Sequence, residues 1–292
     1  MASPKADNST GLLVFGKTGQ IASELQRQAQ VVALGREEAD LTNPSGCAAQ
    51  ILIHRPAAVI NAAAFTAVDK AEDEENQAML VNAQTPGAMA RVCAELDIPF
   101  LHISTDYVFD GKGSDAWSEG DAVAPINTYG RTKLAGENAI LSANGKSAIL
   151  RTSWVFSAHG DNFLKTMQRL GRSRSDLNVV DDQIGGPTPA DKIAEALLTM
   201  AGAMMTGQSG GVFHFSGTPN VSWADFAREI FAQSGDEVSV NGIPTADFPT
   251  PAKRPLNSRL DCSKIKDEFG IMAPNWKDGV TRVLADIKEN AQ

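Results

Sequence analysis

Two side chains four residues apart, Tyr129 and Lys133, could transfer protons at a carbonyl group. If residues 129–144 form a helix, this spacing places the phenol and the ammonium on one face, where the positive charge lowers the pKa of the phenol. Upstream, an apolar run that starts at Phe100 predicts a strand reaching the hydroxyl of Thr105. These residues outline a proton relay. The same spacing also occurs on ordinary surface helices, so the hypothesis depends on what the rest of the chain supplies.

A glycine-rich junction lies between the first predicted strand and the first predicted helix. Residues 12–16 form an unbroken apolar run, which is typical of a strand buried on both faces of a parallel sheet. The junction that follows has the spacing G-x-x-G-x-x-A and ends at Ala22. Glycines there permit a tight turn and let backbone amides approach a pyrophosphate at the positive end of a helix. The expected dinucleotide contacts are Gly16, Lys17, Thr18, Gly19, Gln20 and Ile21.

The second predicted strand, residues 31–35, should end beside the adenosine ribose of such a cofactor. An acidic side chain at this place selects the free ribose hydroxyl, whereas a basic one accepts a phosphate. The chain offers Gly35 and Arg36 here, with Lys17 nearby, which favours NADPH and leaves NADH as the alternative. Further cofactor contacts are expected after the second strand and after a third strand over residues 57–61: Asp40, Leu41, Ala62, Ala63, Ala64 and Thr66.

The alternation of strands and helices predicts an α/β fold, a doubly wound parallel sheet of Rossmann type with a small C-terminal substrate-binding lobe. Residues 11–160 are expected to form the NADPH-binding domain. Residues 161–292 are expected to form mostly the lobe, with residues 177–181 and 212–216 returning to the main sheet. Residues 1–10 are polar and predict a disordered N-terminal extension. Helices are predicted in the second half over residues 161–172, 190–205, 223–233 and 276–288.

The composition argues against several classes of protein. A formal net charge of −9 speaks against a nucleic-acid partner, because phosphate binding needs a basic surface. The three cysteines lack C-x-x-C spacing, which argues against a disulfide scaffold and a structural zinc site. No run approaches the roughly eighteen apolar residues of a membrane span, and the N-terminus has no apolar signal region. We therefore expect a cytoplasmic protein with no membrane partner, as a monomer or homodimer.

Several phrases of the sequence resemble the extended short-chain dehydrogenase/reductase family. They are residues 16–22, 61–64, 104–111 and 129–133. A closer resemblance, to members that reduce keto sugars, covers essentially the whole chain after residue 10. It rests on residues 15–20, 61–64 with 66–69, 151–156, 182–183, 186–188, 250–252, 254–255 and 257–259. The resemblance implies a dTDP-sugar substrate: NADPH-dependent reduction of the 4-keto group of dTDP-4-dehydro-6-deoxy-L-mannose to dTDP-L-rhamnose, for cell-surface polysaccharide.

The resemblance also implies roles for individual residues. Hydride delivery to a ketone leaves negative charge on oxygen, so a proton donor must be in place. Tyr129 is implied as that donor, Lys133 as its activator and a ligand of the nicotinamide ribose, and Thr105 as the group that holds the substrate oxygen. Trp154 is implied to stack on the sugar, although taken alone it would be a core tryptophan. The other implied substrate contacts are Val68, Asp106, Tyr107, Arg254 and Arg259.

A metal site is a weaker implication of the same resemblance. Some relatives bind Mg²⁺ through carboxylates at a dimer contact, and the matching positions here are Glu24, Asp191 and Asp286. Exposed helix carboxylates need no metal to explain them. A Mg²⁺ ion at these residues is therefore an expectation for the structure to test.

Several other functions stay open at this point. Sugar-nucleotide dehydratases of the family carry a glutamate where this chain has Tyr107, and its absence argues against elimination of water. An epimerase that retains its cofactor through a full cycle is an alternative. A non-catalytic regulatory subunit of methionine adenosyltransferase shares the relay residues, and Trp154 favours the enzyme over it. His102, in the strand before Thr105, is expected to be a core histidine and not a catalyst.

Overall fold

A computed structural model describes residues 11–290, so the expected extension over residues 1–10 lies outside the described residues. In chain order the strands are β1 (Leu12–Phe15), β2 (Val31–Leu34), β3 (Ala58–Asn61), β4 (Phe100–Thr105), β5 (Ser147–Thr152), β6 (Val155–Phe156), β7 (Asp176–Val180), β8 (Ile184–Gly185), β9 (Thr188–Pro189), β10 (Gly211–His214), β11 (Val221–Ser222), β12 (Ser239–Ile243) and β13 (Asn257–Ser258).

The helices are α1 (Gln20–Gln28), α2 (Pro44–His54), α3 (Val68–Asp73), α4 (Glu75–Met79), α5 (Thr85–Glu95), α6 (Thr128–Leu141), α7 (Phe163–Gly171), α8 (Ala190–Met205), α9 (Trp223–Ser234), α10 (Ser263–Phe269) and α11 (Trp276–Glu289). A π-helical segment, Leu80–Gln84, joins α4 to α5. Within residues 11–290, none of these helices has the length and apolar character that crossing a membrane requires.

Six parallel strands form the main sheet in the order β10–β5–β4–β3–β1–β2. From β1 the chain moves to one side for β2 and then crosses to the other side for β3, β4 and β5. The direction therefore reverses between β1 and β3. Open α/β sheets bind ligands at such a reversal, outside the carboxyl ends of the strands. The predicted doubly wound α/β fold is confirmed, and the glycine loop lies at this crevice.

Hydrophobic side chains cover both faces of the sheet. One cluster joins the strands to α1 and α8, with Val14, Leu150 and Leu197 fully buried in it. The cluster on the other face joins the same strands to α2, α5 and α6, and Leu13 and Phe15 lie there. Because adjacent residues of a strand point to opposite faces, a strand covered on both sides must be apolar throughout. This requirement explains the unbroken apolar runs in the sequence.

A third hydrophobic cluster lies between α7, α9, α11 and β7 and forms the core of the smaller lobe. Phe156, Phe226 and Trp276 lie at its centre. Here β7 pairs with β12 in a separate two-stranded sheet, so the expectation that residues 177–181 return to the main sheet was wrong. Asp176 and Asn178 are exposed on alternate positions of β7, which a strand buried on both faces could not accommodate. The division into residues 11–160 and 161–292 stays a prediction.

A buried ion pair connects the main sheet to α6. Arg151 on β5 donates to Glu137 through Nη2 at 2.7 Å and through Nε at 3.0 Å. Ser104 on β4 donates to the same carboxylate at 2.5 Å. A buried pair of this kind holds its partners in one geometry, because separating them would leave a desolvated charge. The pair therefore fixes α6, which carries Tyr129 and Lys133, against the strand that ends at Thr105.

Candidate active site

The first turn of α6 is held in place by its own capping residue and by contacts with three other segments. Asn127 caps the helix, since its Oδ1 accepts from Gly130 N at 2.7 Å while its Nδ2 donates to Lys253 O at 2.7 Å. Glu72 accepts from the amide and the hydroxyl of Thr128 at 2.9 and 2.8 Å. Gly130 faces the backbone of Tyr107, and a Cβ there would collide with that carbonyl oxygen. Tyr129 is thereby placed directly beside the end of β4.

Tyr129 lies half-buried between Thr105 and the ring of Tyr107. The two tyrosine rings meet edge to face, with their centroids 5.7 Å apart. Burial raises the pKa of Tyr129 well above its usual value, the negative charge of Asp106 raises it further, and a hydrogen bond with Thr105 opposes both effects. Burial is the largest of these effects, and the expected lowering of this pKa by Lys133 stays a prediction.

The amino group of Lys133 is directed into the protein. Its Nζ donates to Ile103 O at 2.7 Å and lies 3.0 Å from Nε2 of His102, and the side chain is 1% exposed. Burial lowers the pKa of Lys133 to about 8, although the negative charge of Glu137 opposes the change. Lys133 therefore contacts the residues of β4 that directly precede Thr105.

Asp106 is a buried carboxyl group next to the relay. Its Oδ1 accepts from Thr105 Oγ1 at 3.0 Å, and its Oδ2 has no hydrogen-bond partner within the described part of the chain. Burial raises the pKa of Asp106 to about 6, against hydrogen bonds from Ser258 and Thr105 that lower it. An acceptor left open beside Tyr129 is suited to a hydroxyl group of a ligand.

The crevice between β1 and β3 fits a dinucleotide phosphate. Gly16 has a φ of 111°, and a Cβ there would lie 3.3 Å from the carbonyl carbon of Ala62. Gly19 precedes α1 without a side-chain cap, so the first amides of the helix point to the crevice with their positive end free for an anion. Gln20 anchors the loop, because its Oε1 accepts from Ser157 and Asn162 at 3.0 Å each.

The segment after β3 is tied to the relay helix. Asn82 accepts from Phe65 N at 2.8 Å and donates to Phe65 O at 3.1 Å and to Thr132 Oγ1 at 3.0 Å. The predicted cofactor positions Ala62, Ala63, Ala64 and Thr66 flank Phe65 in this segment. These hydrogen bonds of Asn82 hold the backbone that is expected to contact the cofactor in a fixed position relative to α6.

The segment after β2 carries an acidic residue that was not among the residues predicted from the sequence. Glu38 accepts from Gly35 N at 2.8 Å and forms an ion pair with Lys17 at 3.3 Å. Arg36 is 78% exposed and pairs with Asp40 at 3.5 Å, two residues before Thr42. An acidic side chain four residues beyond the last residue of a second Rossmann strand is a recognisable signal, and it favours a free ribose hydroxyl. The segment after β2, where the adenosine ribose of a cofactor is expected, therefore carries charges of both signs.

Trp154 has a backbone and a neighbour that the sequence did not reveal. Its φ of 50° is in the left-handed region, which is strained for a bulky residue and is most frequent at functional sites. One face of the indole stacks on Trp223, with ring centroids 3.7 Å apart and planes 12° apart. Trp223 in turn donates to Gln183 Oε1 at 3.2 Å. Trp154 is half-buried, so the stack leaves part of it exposed.

The two arginines that the resemblance implies as substrate contacts lie in different surroundings. Arg254 forms a bidentate pair with Asp69, at 3.0 and 2.8 Å, and also donates to Thr250 Oγ1 at 2.6 Å. Val68 is the first residue of α3 and directly precedes Asp69. Arg259 lies just after β13 and donates to Asn257 Oδ1 at 2.9 Å. Arg254 is thus restrained by a carboxylate that faces Tyr107.

The three proposed magnesium ligands line one cavity of about 170 Å³, and arginines form ion pairs with two of them. Arg27 pairs with Glu24 at 2.8 Å, and Arg282 pairs with Asp191 at 3.1 Å; Asp286 is the third acid. Guanidinium groups here satisfy the carboxylates and repel a cation. Among residues 11–290, no group of three histidine, cysteine or acidic residues is arranged to hold a metal ion. The Mg²⁺ expectation therefore does not fit a single copy of this chain.

The raised pKa of Asp106 predicts a stability effect with a definite sign. A carboxyl group with a pKa of about 6 folded and about 3.9 unfolded binds more protons in the folded state, so its contribution is unfavourable above pH 6 by about 3 kcal/mol and fades as the pH falls. The change Asp106→Asn should therefore increase the free energy of unfolding, by about 1 kcal/mol more at pH 8 than at pH 5. Urea unfolding at the two pH values measures this.

The matched control for that measurement is Asp110→Asn. Hydrogen bonds with Lys112 lower the pKa of Asp110, so its replacement should give no gain in stability at pH 8. A gain for Asp106→Asn that is equal at both pH values would show that the carboxyl does not titrate in this range.

Comparison with known proteins agrees with this geometry along nearly the whole chain. The family model described as RmlD substrate binding domain matches residues 10–289. A dTDP-4-dehydrorhamnose reductase from Sinorhizobium fredii is 45% identical, over 94% of this chain and 96% of that protein. The crystal structure of a dTDP-4-dehydrorhamnose reductase from Clostridium acetobutylicum superposes with a TM-score of 0.89 at 35% identity, covering 96% of this chain and 100% of that one.

A second solved structure adds information about the cofactor. It is a dTDP-4-dehydrorhamnose reductase from Bacillus anthracis in complex with NADP, with a TM-score of 0.89 and 32% identity, covering 95% of this chain and 99% of that one. These matches span the sheet, the relay and the smaller lobe together. The chain therefore belongs to the dTDP-4-dehydrorhamnose reductase family, within the extended short-chain dehydrogenase/reductases.

Proposed function

We propose that this protein reduces the 4-keto group of dTDP-4-dehydro-6-deoxy-L-mannose with NADPH, giving dTDP-L-rhamnose, the final step of dTDP-rhamnose biosynthesis for cell-surface polysaccharide. The observation that carries the proposal is the meeting of Tyr129, Lys133 and Thr105 at the carboxyl end of β4, next to a glycine loop that fits a dinucleotide phosphate. The similarity to reductases favours this activity over a regulatory subunit.

The reaction needs a hydride, which NADPH supplies when it is bound. The hydroxyl of Tyr129 gives its proton to the ketone oxygen as negative charge develops there, and Thr105 donates a hydrogen bond to the same oxygen. A raised pKa keeps the Tyr129 proton in place before the reaction. A free tyrosine needs its pKa lowered by about 3 units, or about 4 kcal/mol, to be an effective acid near neutrality. The raised pKa of Tyr129 makes this requirement larger, and the lysine and the bound cofactor must supply it together.

The sugar is proposed to lie between the relay and the exposed part of Trp154. Val68, Asp106 and Tyr107 supply the other contacts, and the open oxygen of Asp106 accepts from a sugar hydroxyl. Arg254 and Arg259 supply positive charge for the diphosphate. Tyr107 packs against Tyr129 where a dehydratase would place a second acid, so elimination of water lacks its proton donor.

NADPH is proposed over NADH on the charges around the end of β2. Arg36 and Lys17 are the exposed cations that would bind a 2′-phosphate, with Asp40 and Leu41 beside the adenine. Glu38 opposes this choice, because it already holds Lys17 and would repel the phosphate. The preference for NADPH therefore depends on whether Lys17 turns from Glu38 to the cofactor.

A reducing cytoplasm is the proposed location. Cys47, Cys93 and Cys262 are all free thiols, and Cys47 and Cys93 are buried. Burial raises the pKa of Cys47 to about 11 and that of Cys93 to about 12, so neither is a reactive thiolate. Free thiols of this kind persist where disulfides are kept reduced.

The first test is turnover with the authentic keto sugar. The purified protein should oxidise NADPH only when dTDP-4-dehydro-6-deoxy-L-mannose is present. The Tyr129→Phe variant should lose at least about 100-fold in kcat, because it removes the general acid, while its affinity for NADPH stays within a few-fold of the natural chain. Loss of NADPH absorbance and fluorescence titration measure the two quantities. Unchanged turnover in Tyr129→Phe would exclude this tyrosine as the acid.

The second test concerns the choice of cofactor. Glu38→Gln should raise the ratio of kcat/KM for NADPH to that for NADH, because it removes the charge that repels the phosphate and frees Lys17. Arg36→Ala should lower the same ratio. Glu37→Gln, an exposed acid one position away, is the matched control and should leave the ratio unchanged. A fall in the ratio for Glu38→Gln would contradict the proposed role of this residue.

A further inference from the structure

We infer that the hydroxyl of Thr152, at the carboxyl end of β5, binds the carboxamide of the nicotinamide and so helps to hold that ring beside the relay. The inference rests on the proposed function, because it requires a nicotinamide dinucleotide in the crevice. It concerns a residue for which the sequence pattern predicted no role.

Thr152 carries a buried hydroxyl group that has no hydrogen-bond partner among residues 11–290. The residue is 4% exposed, so bulk solvent does not reach the hydroxyl freely. A buried polar group without a partner costs free energy, and such groups in native proteins are nearly always hydrogen-bonded. Because a hydroxyl both donates and accepts, it suits a ligand group that offers one acceptor and one donor.

The pairing of β4 with β5 places this hydroxyl next to the relay. Thr152 is the register partner of Thr105, so the two side chains leave the same face of the sheet on strands about 4.8 Å apart. Thr105 in turn bonds to Asp106 and to Tyr129. The second carboxylate oxygen of Asp106 is also buried without a partner in the described chain. Two unpaired polar atoms therefore lie next to Thr105, at the carboxyl ends of neighbouring strands.

The face of the sheet on which Thr152 lies favours the cofactor over the sugar as its partner. Side chains two positions apart in a strand share a face, and Leu150 packs in the cluster with α1 and α8. Thr152 is therefore on the side of α1, whose first amides are free for a pyrophosphate. The proposed sugar contacts Val68 and Tyr107 belong instead to segments that pack against α6, on the opposite side.

The order of the strands gives the direction of a dinucleotide across the crevice. The adenosine ribose is expected after β2 and the pyrophosphate at the glycine loop after β1, so the nicotinamide must extend the other way, past β3 to the relay at the end of β4. The next strand in this order is β5. The carboxamide is bonded to the carbon next to the one that carries the hydride, and it offers a carbonyl acceptor and an N–H donor. Its chemistry therefore complements the hydroxyl of Thr152.

Ser147 shows why the position of Thr152 matters as much as its unpaired hydroxyl. Oγ of Ser147 is also buried without a partner in the described chain, and it belongs to the same strand. Ser147 is the first residue of β5, whereas open parallel sheets bind ligands outside the carboxyl ends of their strands. Thr152 is the last residue of β5 and the neighbour of Thr105. Of these two hydroxyls, only that of Thr152 is placed to meet a ligand.

The test compares the binding of two ligands to the full-length protein by calorimetric titration. One is NADPH, and the other is 2′-phospho-ADP-ribose, which has a hydroxyl where NADPH has the nicotinamide. Thr152→Val keeps the shape of the side chain and removes its hydroxyl. It should weaken the binding of NADPH about 10-fold, because the carboxamide loses a buried partner, and should change the affinity for 2′-phospho-ADP-ribose by less than about 2-fold. Thr152→Ser keeps the hydroxyl and should bind NADPH within about 3-fold of the natural chain.

Ser147→Ala is the matched control, because it removes the other unpaired hydroxyl of β5 at the end of the strand away from the crevice. It should leave the affinity for both ligands unchanged. Urea unfolding of the ligand-free proteins separates a lost contact from a damaged fold. Since Thr152→Val removes a buried polar group that has no protein partner, its unfolding midpoint should be no lower than that of the natural chain. A lower midpoint would show that the hydroxyl is satisfied within the protein and would count against the inference.

Two binding results would overturn the inference while the proposed function stands. One is an unchanged affinity of Thr152→Val for NADPH, and the other is an equal loss of affinity for both ligands. An unchanged NADPH affinity with a raised KM for the keto sugar would assign the hydroxyl to the substrate instead. A natural chain that binds neither NADPH nor NADH would overturn the inference and the proposed function together. The titrations need no turnover, so a missing carboxamide contact and a missing reductase activity are told apart.

Discussion

The burial of one amino group, that of Lys133, is the constraint on which the rest of the site depends. An amine inside a protein needs fixed acceptors, and here Ile103 O and the ring of His102 occupy its surroundings. Those partners belong to β4, which is itself locked to α6 by Ser104, Glu137 and Arg151. The strand that ends at Thr105 and the helix that begins beside Tyr129 are therefore held in register by buried polar contacts, in addition to their apolar faces.

Burial and the negative charge of Asp106 both raise the pKa of Tyr129. In the proposed reaction this pKa must fall for the phenol to act as an acid near neutral pH. The positive charge on the nicotinamide after hydride transfer and the charge of Lys133 are the two groups that would lower it.

The strands of the main sheet could be predicted from the sequence, because buried parallel strands must be apolar throughout, as at residues 12–16. The helices of the second half could be predicted from their hydrophobic periodicity. The prediction failed for β7, where the pattern alternates and the partner strand β12 is about sixty residues away. The stacking of Trp154 on a sugar stays a prediction. Its observed stacking partner, Trp223, is remote in sequence, and no local pattern could have revealed it. Glu38 could have been predicted as a residue near the ribose, because its spacing from the second strand can be read from the sequence. The direction of the Tyr129 pKa shift could not be predicted, because the burial of the phenol is a property of the fold.

The pKa of Tyr129 with and without cofactor tests this account most directly. The chain has two tyrosines, so Tyr107→Phe leaves Tyr129 as the one phenol whose ultraviolet absorbance reports ionisation. In the ligand-free variant we expect no phenolate until the pH is well above the ordinary tyrosine pKa of about 10, and with NADP⁺ bound we expect ionisation at a pH lower by about 2 units or more. Phenolate near neutral pH without ligand, or a titration that NADP⁺ does not change, would contradict a relay that only the cofactor completes.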